Sequence, residues 1–362
     1  MAYLERLLEL PPDERQRALK TNVDVKDTAI VDFFEIIRRS VFEGNRNIAR
    51  FIEALAFGNM REALDMFATF LHSGATDVDK MLGIYERQGS YFVAFHEFAK
   101  AIILGDRRHY RQSESKILNV FDRGNEGLSS HFTLLRLIRL LLAHSQRTSS
   151  EGRGFVRLDE IIGAFADCFG DESDIIFAAN RAVAKQLVQV DPRSTESIEG
   201  ATWMRASSGG WYYSKFLAKS FAYLDLMLED TAFDNEPMVA DLARISEEVD
   251  AIHESPQNRL AKVELRFRRV DRFLDYLLQH EDAERAAHRL STRADVFSTP
   301  IMPAIRSQYE SEKIYIRTRL GQNAENRPEQ LPLDPSFVDA DKELAALAND
   351  RLVEDADPSD VQ

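Results

Sequence analysis

The chain is poor in residues that build covalent or metal-bound frameworks. Its 362 residues include one cysteine, Cys168, which excludes an internal disulfide and any zinc site needing two thiolates. The eight histidines contain no His-x-x-x-His pair, so no helical face offers two imidazoles to a metal ion. We therefore expect no metal and no cofactor. A reducing, cytoplasmic location fits the lack of disulfides.

Long apolar runs are also missing. A membrane-spanning helix needs about 18 or more consecutive apolar residues, and no such run occurs. Charged residues interrupt residues 1–10 every few positions, so they lack the apolar core of a signal peptide. We expect a protein that is neither exported nor membrane-spanning.

Common catalytic motifs are absent as well. The sequence has no Gly-x-x-x-x-Gly-Lys-Ser/Thr loop to cradle phosphates, which argues against ATP hydrolysis by this chain alone. Phe165 and Phe169 flank Cys168, which favours a buried, inert thiol over a nucleophile. The sequence therefore predicts a protein that is not an enzyme.

Negative charge is concentrated at the C-terminal end. The formal net charge is −14, and residues 321–362 contribute −8 of it, from 11 Asp and Glu against 3 Lys and Arg. This stretch also contains four prolines. Too few apolar residues remain to offset the entropy of ordering, so we predict a disordered acidic tail over residues 321–362.

Apolar residues recur every three or four positions in the first part of the chain, which is the spacing of amphipathic helices. Gly44-Asn45 and Gly58-Asn59 interrupt the pattern as helix-end signals. Three apolar faces result: Phe33, Phe34, Ile36, Ile37 and Val41; Ile48, Phe51, Ile52 and Leu55; and Ala63, Leu64, Phe67 and Leu71. With further helices at 77–85 and 91–104, they predict a helical domain over residues 1–112.

Residues 113–233 combine helical and strand patterns. Helices are predicted at 128–144, 158–168 and 173–187, strands at 188–190 and 201–206, and a long helix at 211–229. Three helices, a small β-hairpin and a following helix are the order of a winged helix-turn-helix. A C-terminal helical region follows over residues 234–320, so the fold class is mainly α.

One short motif carries a resemblance: Gly58-Asn59-Met60-Arg61-Glu62-Ala63-Leu64. It resembles the Gly-Asn-x-Arg-x-Ala-Leu sequence in the lid domain of AAA+ and STAND ATPases of the origin-recognition type. The resemblance implies a helical lid followed by a winged helix, with Arg61 at the position that senses nucleotide phosphate. The strand-rich ATPase core that precedes the lid in that family has no counterpart here. The chain therefore resembles the lid and winged-helix arm alone.

Several polar residues of the predicted winged helix are candidates for contacting DNA or a partner protein. On the helix at 173–187, Asn180, Arg181 and Lys185 are predicted to face a groove, while Ile176, Phe177, Val183 and Leu187 pack inward. Arg205 lies on the second predicted strand. The acidic start of this helix, at 171–174, would repel phosphate and favours protein contacts instead.

The strongest basic feature lies further along the chain. Arg259, Lys262, Arg266 and Arg269 recur at the spacing of one helical face, opposite Leu260, Val263, Phe267, Val270 and Leu274. We predict an exposed stripe that binds phosphate or an acidic partner. Nearby acids such as Glu264 and Asp271 allow the alternative of an ordinary solvated face. Reversing Arg266 and Arg269 to Glu should leave folding nearly intact, since exposed charges seldom contribute more than about 1 kcal/mol, while binding should suffer far more.

Two functions follow from these patterns. In the first, the chain is a regulatory or binding subunit of a larger, ATPase-containing complex, and its winged helix and basic stripe contact DNA. In the second, the same surfaces hold other protein subunits and bind no nucleic acid. A salt titration separates the two, because neutralised phosphates make affinity steeply dependent on salt.

Overall fold

The computed structural model describes residues 27–44, 46–123, 130–166, 171–191, 202–253, 255 and 257–322. These residues are mainly helical, which confirms the predicted fold class. The described α-helices are α1 Asp27–Phe42, α2 Asn47–Ala56, α3 Met60–His72, α4 Val78–Gln88, α5 Phe95–Leu104, α6 Thr133–Ala143, α7 Leu158–Ala166, α8 Glu172–Ala184, α9 Ser208–Lys215, α10 Phe221–Met227, α11 Glu236–Ala251, α12 Arg259–Ala287 and α13 Met302–Gln322.

Short strands and 3-10 turns complete the described elements. The strands are β1 Thr148–Ser149, β2 Gly152–Arg153, β3 Val156–Arg157, β4 Val188–Val190 and β5 Trp203–Ala206. The 3-10 turns are Leu217–Lys219, Leu228–Asp230, Leu290–Thr292 and Val296–Ser298. Residues 1–26, Cys168 and the predicted tail after residue 322 lie outside the described residues.

The first helices pack around a cluster of aromatic rings. The ring of Phe98 in α5 lies 6.1 Å from that of Phe51 in α2 and 4.9 Å from that of Phe70 in α3. The predicted faces of α1 and α2 are buried, but the face of α3 differs. Met66 and Phe70 are buried, while Leu64 is 42% exposed, because the buried stripe of α3 begins one position before Leu64.

A three-stranded sheet lies beside α6 and α8. Strand β5 is central and pairs antiparallel with β3 on one side and with β4 on the other. Met204 lies opposite both Val156 and Val190 and is fully buried. The sheet therefore has its centre in the apolar interior, although its strands are only two to four residues long.

The prediction of one long helix at 211–229 is wrong, because 3-10 turns interrupt the helix at two places there. Helix α9 ends at Lys215, and a 3-10 turn leads to Ser220, whose side chain caps α10 by accepting from Tyr223 N at 3.4 Å. Phe216 leaves helical geometry with φ −129° and ψ −60°. Apolar periodicity continues across the break, so the pattern alone could not reveal it.

Helix α9 begins unusually close to the backbone of its neighbours. Ser207 caps it by accepting from Gly210 N at 3.1 Å, and Ser208 Oγ donates to Ala54 O of α2 at 2.9 Å. A Cβ atom on Gly210 would lie far inside contact distance of the Leu187 carbonyl oxygen. The Ser-Ser-Gly-Gly sequence thus lets α9 approach both α2 and the turn before β4.

This close approach predicts the effect of adding one methyl group. Gly210→Ala should lower the free energy of unfolding by about 1–3 kcal/mol, since backbone atoms must shift to admit the methyl. The control is Gly163→Ala in α7, where a Cβ atom meets nothing within 4 Å. That change should be neutral or stabilising by up to about 1 kcal/mol. If urea unfolding gave the same change in unfolding free energy for the two variants, this close packing at Gly210 would be contradicted.

The C-terminal helices continue the same core. Helix α12 packs against α11 and α13, and Phe267 and Phe273 of α12 are almost fully buried. One cluster of buried apolar residues runs from Phe33 to Tyr309, through all three predicted helical regions. No helix in the described part of the chain has both the length and the apolar content needed to cross a membrane.

A buried hydrogen-bond chain joins α12 to the segments before α6 and α11. His131 Nδ1 lies 2.7 Å from Phe121 O, and its Nε2 lies 2.9 Å from the Tyr276 hydroxyl. That hydroxyl also lies 2.8 Å from Asp234 Oδ1, and Arg123 pairs with the same carboxylate. Burial lowers the pKa of His131 to about 4, against the opposing effect of its hydrogen bond to Phe121.

This shift makes stability depend on pH. The pKa of His131 is about 4 in the fold against an ordinary 6.5, so the unfolded chain binds a proton first as pH falls. His131 should therefore contribute stability that is complete above pH 6.5 and lost towards pH 4, a loss of about 3 kcal/mol. Urea unfolding at a series of pH values should show that His131→Asn loses less unfolding free energy between pH 6.5 and pH 4 than the wild type does. An equal loss in the two proteins would refute this role of His131.

Candidate functional site

The start of α3 presents the motif that resembles an ATPase lid. Phe57 and Gly58 both adopt left-handed backbone angles, with φ of 49° and 72°. The Asn59 side chain then caps the helix by accepting from Arg61 N at 3.0 Å and Glu62 N at 3.4 Å. The tight turn and cap place Arg61 in the first turn of α3, where its side chain is exposed.

Two exposed apolar side chains flank Arg61. Met60 is 71% exposed and Leu64, one helical turn further, is 42% exposed. The acids of the same helix are engaged elsewhere, because Glu62 and Asp65 both pair with Lys116. We call Met60, Arg61 and Leu64 the α3 corner. In the described part of the chain, Arg61 forms no ion pair, so its charge is available to a partner.

Helix α8 turns a different face inward from the one predicted. Its buried residues are Ile175, Ala178, Ala179 and Ala182, whereas Ile176, Phe177 and Val183 are only partly buried. The small alanines allow α8 to lie close to α6. Of the predicted inward set, Leu187 is buried, Ile176 and Val183 pack partly buried against the core, and only Phe177 is not part of it. The pattern missed the alanines, because the larger apolar residues outweighed them.

This rotation directs two predicted groove residues into the protein. Arg181 donates to Asp122 O at 2.9 Å and Gln112 Oε1 at 2.7 Å, and pairs with the Asp122 carboxylate at 3.0 Å. Lys185 Nζ donates to Ser115 O at 2.6 Å, and burial lowers the pKa of this amine. Both side chains tie α8 to the segment at 112–122, so neither lies in an open groove.

The exposed face of α8 carries little that would attract phosphate. Asn180 is exposed, but its Nδ2 donates to Ile176 O of the same helix at 3.0 Å. Asp171 and Glu172 are exposed at the start of the helix. With Arg181 and Lys185 turned inward, this surface is neutral to acidic, which is unfavourable for contact with a DNA backbone.

Arg205, the candidate on β5, lies across the small sheet. Its Nε donates to Gln189 Oε1 of β4 at 2.8 Å, and its Nη1 donates to Arg153 O at 3.3 Å. The guanidinium also lies 4.6 Å from the centre of the Phe155 ring. These contacts give Arg205 a role in joining β2, β4 and β5.

The basic stripe of α12 is not a single exposed face. Arg259 is exposed and Lys262 is partly buried, but Arg269 is 6% exposed. Arg266 Nη2 lies 2.6 Å from Asp225 Oδ2, and Arg269 Nη2 lies 2.8 Å from Asp225 Oδ1. The expectation that reversing Arg266 and Arg269 leaves folding nearly intact is therefore wrong, because it would surround a buried carboxylate with negative charge.

Asp225 is the residue that sequence reasoning missed. It lies in α10, is 1% exposed, and is the one acid between Phe221 and Leu228. Burial alone would raise its pKa, but the guanidiniums of Arg266 and Arg269 hold the pKa of Asp225 below its usual value. A lone carboxylate in an apolar run was the available signal, since such a group must find a positive partner.

The comparisons with protein-family models, curated proteins and solved structures find no match to this chain. The described residues contain no cluster of three His, Cys, Asp or Glu side chains placed to hold a metal ion. The candidate site therefore rests on geometry alone, and at the α3 corner the predicted charge and both apolar neighbours are exposed.

Neighbouring arginines of α12 give a matched test of the buried ion pairs. Arg269→Ala should lower the free energy of unfolding by about 3 kcal/mol, because Asp225 keeps its charge and loses one of its two partners. Arg268→Ala, which removes an exposed pair with Glu248, should cost less than about 1 kcal/mol. Similar losses for both variants in denaturant unfolding would rule out a structural role for Arg269.

Proposed function

We propose that the chain is a non-enzymatic binding subunit that holds a partner protein through the α3 corner. The observation that carries this proposal is the pairing of an exposed arginine with two exposed apolar side chains, Met60 and Leu64. Arginine and methionine are enriched in the cores of protein interfaces, and contiguous apolar exposure is a mark of such sites.

The middle of the chain serves in this proposal as a winged-helix scaffold. Helix α6, strand β3, helices α7 and α8, and the antiparallel strands β4 and β5 follow one another in the order of a winged helix-turn-helix. This order supports the assignment. The inward position of Arg181 and Lys185 favours a scaffold that contacts protein over one that reads DNA, since a recognition helix approaches DNA with its exposed polar face.

The resemblance of the Gly58–Leu64 motif to an ATPase lid indicates the kind of partner. In that family the matching arginine reaches a phosphate held by a neighbouring domain. An exposed Arg61 with apolar neighbours has the same chemistry to offer another subunit, so the proposed setting is a larger, ATPase-containing complex. DNA contact by α8 and α12, the first hypothesis drawn from the sequence, has less support because most of the basic residues it needs have internal partners.

The experiment compares two surfaces of equal apolar exposure. A photo-reactive crosslinker is placed at position 64 or at Val239, which is 44% exposed on α11. Crosslinking in cells, followed by mass spectrometry, should yield one dominant protein from position 64. That protein should be absent from the products of position 239. Crosslinks to DNA alone, or the same products from both sites, would contradict the proposal.

Substitutions at the corner then test the contact. Arg61→Glu with Leu64→Ser should weaken binding of the crosslinked partner at least about tenfold, or about 1.4 kcal/mol, because a charge and an apolar contact are lost together. Both side chains are exposed, so stability should change by no more than about 0.5 kcal/mol. Val239→Ser is the matched control and should bind normally. Unimpaired binding by the double variant would exclude the α3 corner.

A further inference from the structure

A group of positive side chains has no carboxylate partner. Most cations of α12 and α13 lie within ion-pair distance of an acid. By contrast, four cations form no ion pair within the described ranges. They are Arg139 on α6, Lys215 and Lys219 between α9 and α10, and Arg285 near the end of α12. We call these four residues the cation cluster.

Two arginines of the cluster meet at one turn. Arg139 of α6 donates from Nη1 to Thr299 O at 3.0 Å, and Arg285 of α12 donates from Nη1 to Phe297 O at 3.4 Å. These two carbonyl groups are two residues apart, so both guanidiniums are anchored beside the same stretch of backbone. Each uses one nitrogen in this way and retains further N–H donors.

The lysines come from the break between α9 and α10. Lys215 ends α9 and is exposed, and Lys219 ends the following 3-10 turn and is partly buried. Burial lowers the pKa of Lys219, and the positive charges of Lys215 and Arg139 add to that effect. Burial likewise lowers the pKa of Arg139, with Arg136 and Arg285 acting in the same direction.

The acids near the cluster are already engaged. Glu281 is 2% exposed and accepts from Ile301 N at 2.6 Å and Met302 N at 2.8 Å, although its charge still opposes the shift at Arg139. Glu284 pairs with Arg136 at 2.7 Å. The cluster therefore keeps an excess of positive charge, and mutual repulsion acts on groups that are partly removed from water.

We propose that the cation cluster is a binding site for a phosphate group. A phosphate carries up to two negative charges and several acceptor oxygens, which matches two ammonium groups and two guanidiniums better than a single carboxylate does. Binding would relieve the repulsion at Lys219 and Arg139. The site shares no residue with the α3 corner, so either assignment stands or fails without the other.

Calorimetric titration with inorganic pyrophosphate tests the site. At about 0.05 M salt, the wild-type chain should bind pyrophosphate, and Lys215→Gln with Lys219→Gln should weaken that binding at least about tenfold. The matched control is Arg244→Gln with Arg268→Gln, which removes two exposed cations that do have acidic partners. This control should bind pyrophosphate as the wild type does.

A second arm distinguishes the source of the phosphate. A short duplex oligonucleotide that displaces pyrophosphate would identify a phosphodiester backbone as the ligand, and failure to displace it would identify a small phosphorylated molecule. Both outcomes support a phosphate site. No pyrophosphate binding by the wild type, or equal binding by the lysine variant and the control, would overturn the proposal.

A measurement on the unmodified chain guards against a variant that fails to fold. Phosphate should raise the thermal midpoint of the wild type above that in chloride at the same ionic strength, because a ligand that binds only the folded state stabilises it. Equal midpoints in the two salts would also overturn the proposal.

Discussion

The structure depends above all on the buried carboxylate of Asp225. This acid lies at 1% exposure in α10, and Arg266 and Arg269 of α12 satisfy it from one side. Arg269 extends the network to Glu229 and to Ser246 of α11. Three helices are thereby held in one arrangement, because a charge removed from water is tolerated only while its partners stay in place.

The same constraint decides which surfaces remain for binding. Ion pairing with Asp225 engages Arg266 and Arg269, which are half of the predicted basic stripe, and Asp122 likewise engages Arg181 on α8. An acidic protein that uses its arginines in this way leaves few positive groups for a ligand. Among those that remain, Arg61 lies beside two exposed apolar side chains, and the cation cluster places Arg139 and Arg285 beside one stretch of backbone.

Much of the architecture was predictable from local sequence. Helices α1 to α3, with Gly58-Asn59 between the last two, follow from apolar spacing and capping residues, and Val188–Val190 has the alternation of the strand it forms. The break in the helix at Phe216 was not predictable, because apolar residues continue through it. The partners of Arg181 and Arg269 lie 59 and 44 residues away in sequence, and periodicity contains no information about contacts at that range.

Arg181 of α8 and Arg269 of α12 act inside the fold, while Arg61 is open to a partner. Arginine-specific labelling of the native chain, read residue by residue with mass spectrometry, tests this difference most directly. Arg61 and Arg259, both exposed, should be modified rapidly, whereas Arg181 and Arg269 should be protected until the protein unfolds. Modification of Arg181 and Arg269 in the native protein at the rate of Arg61 would contradict the account.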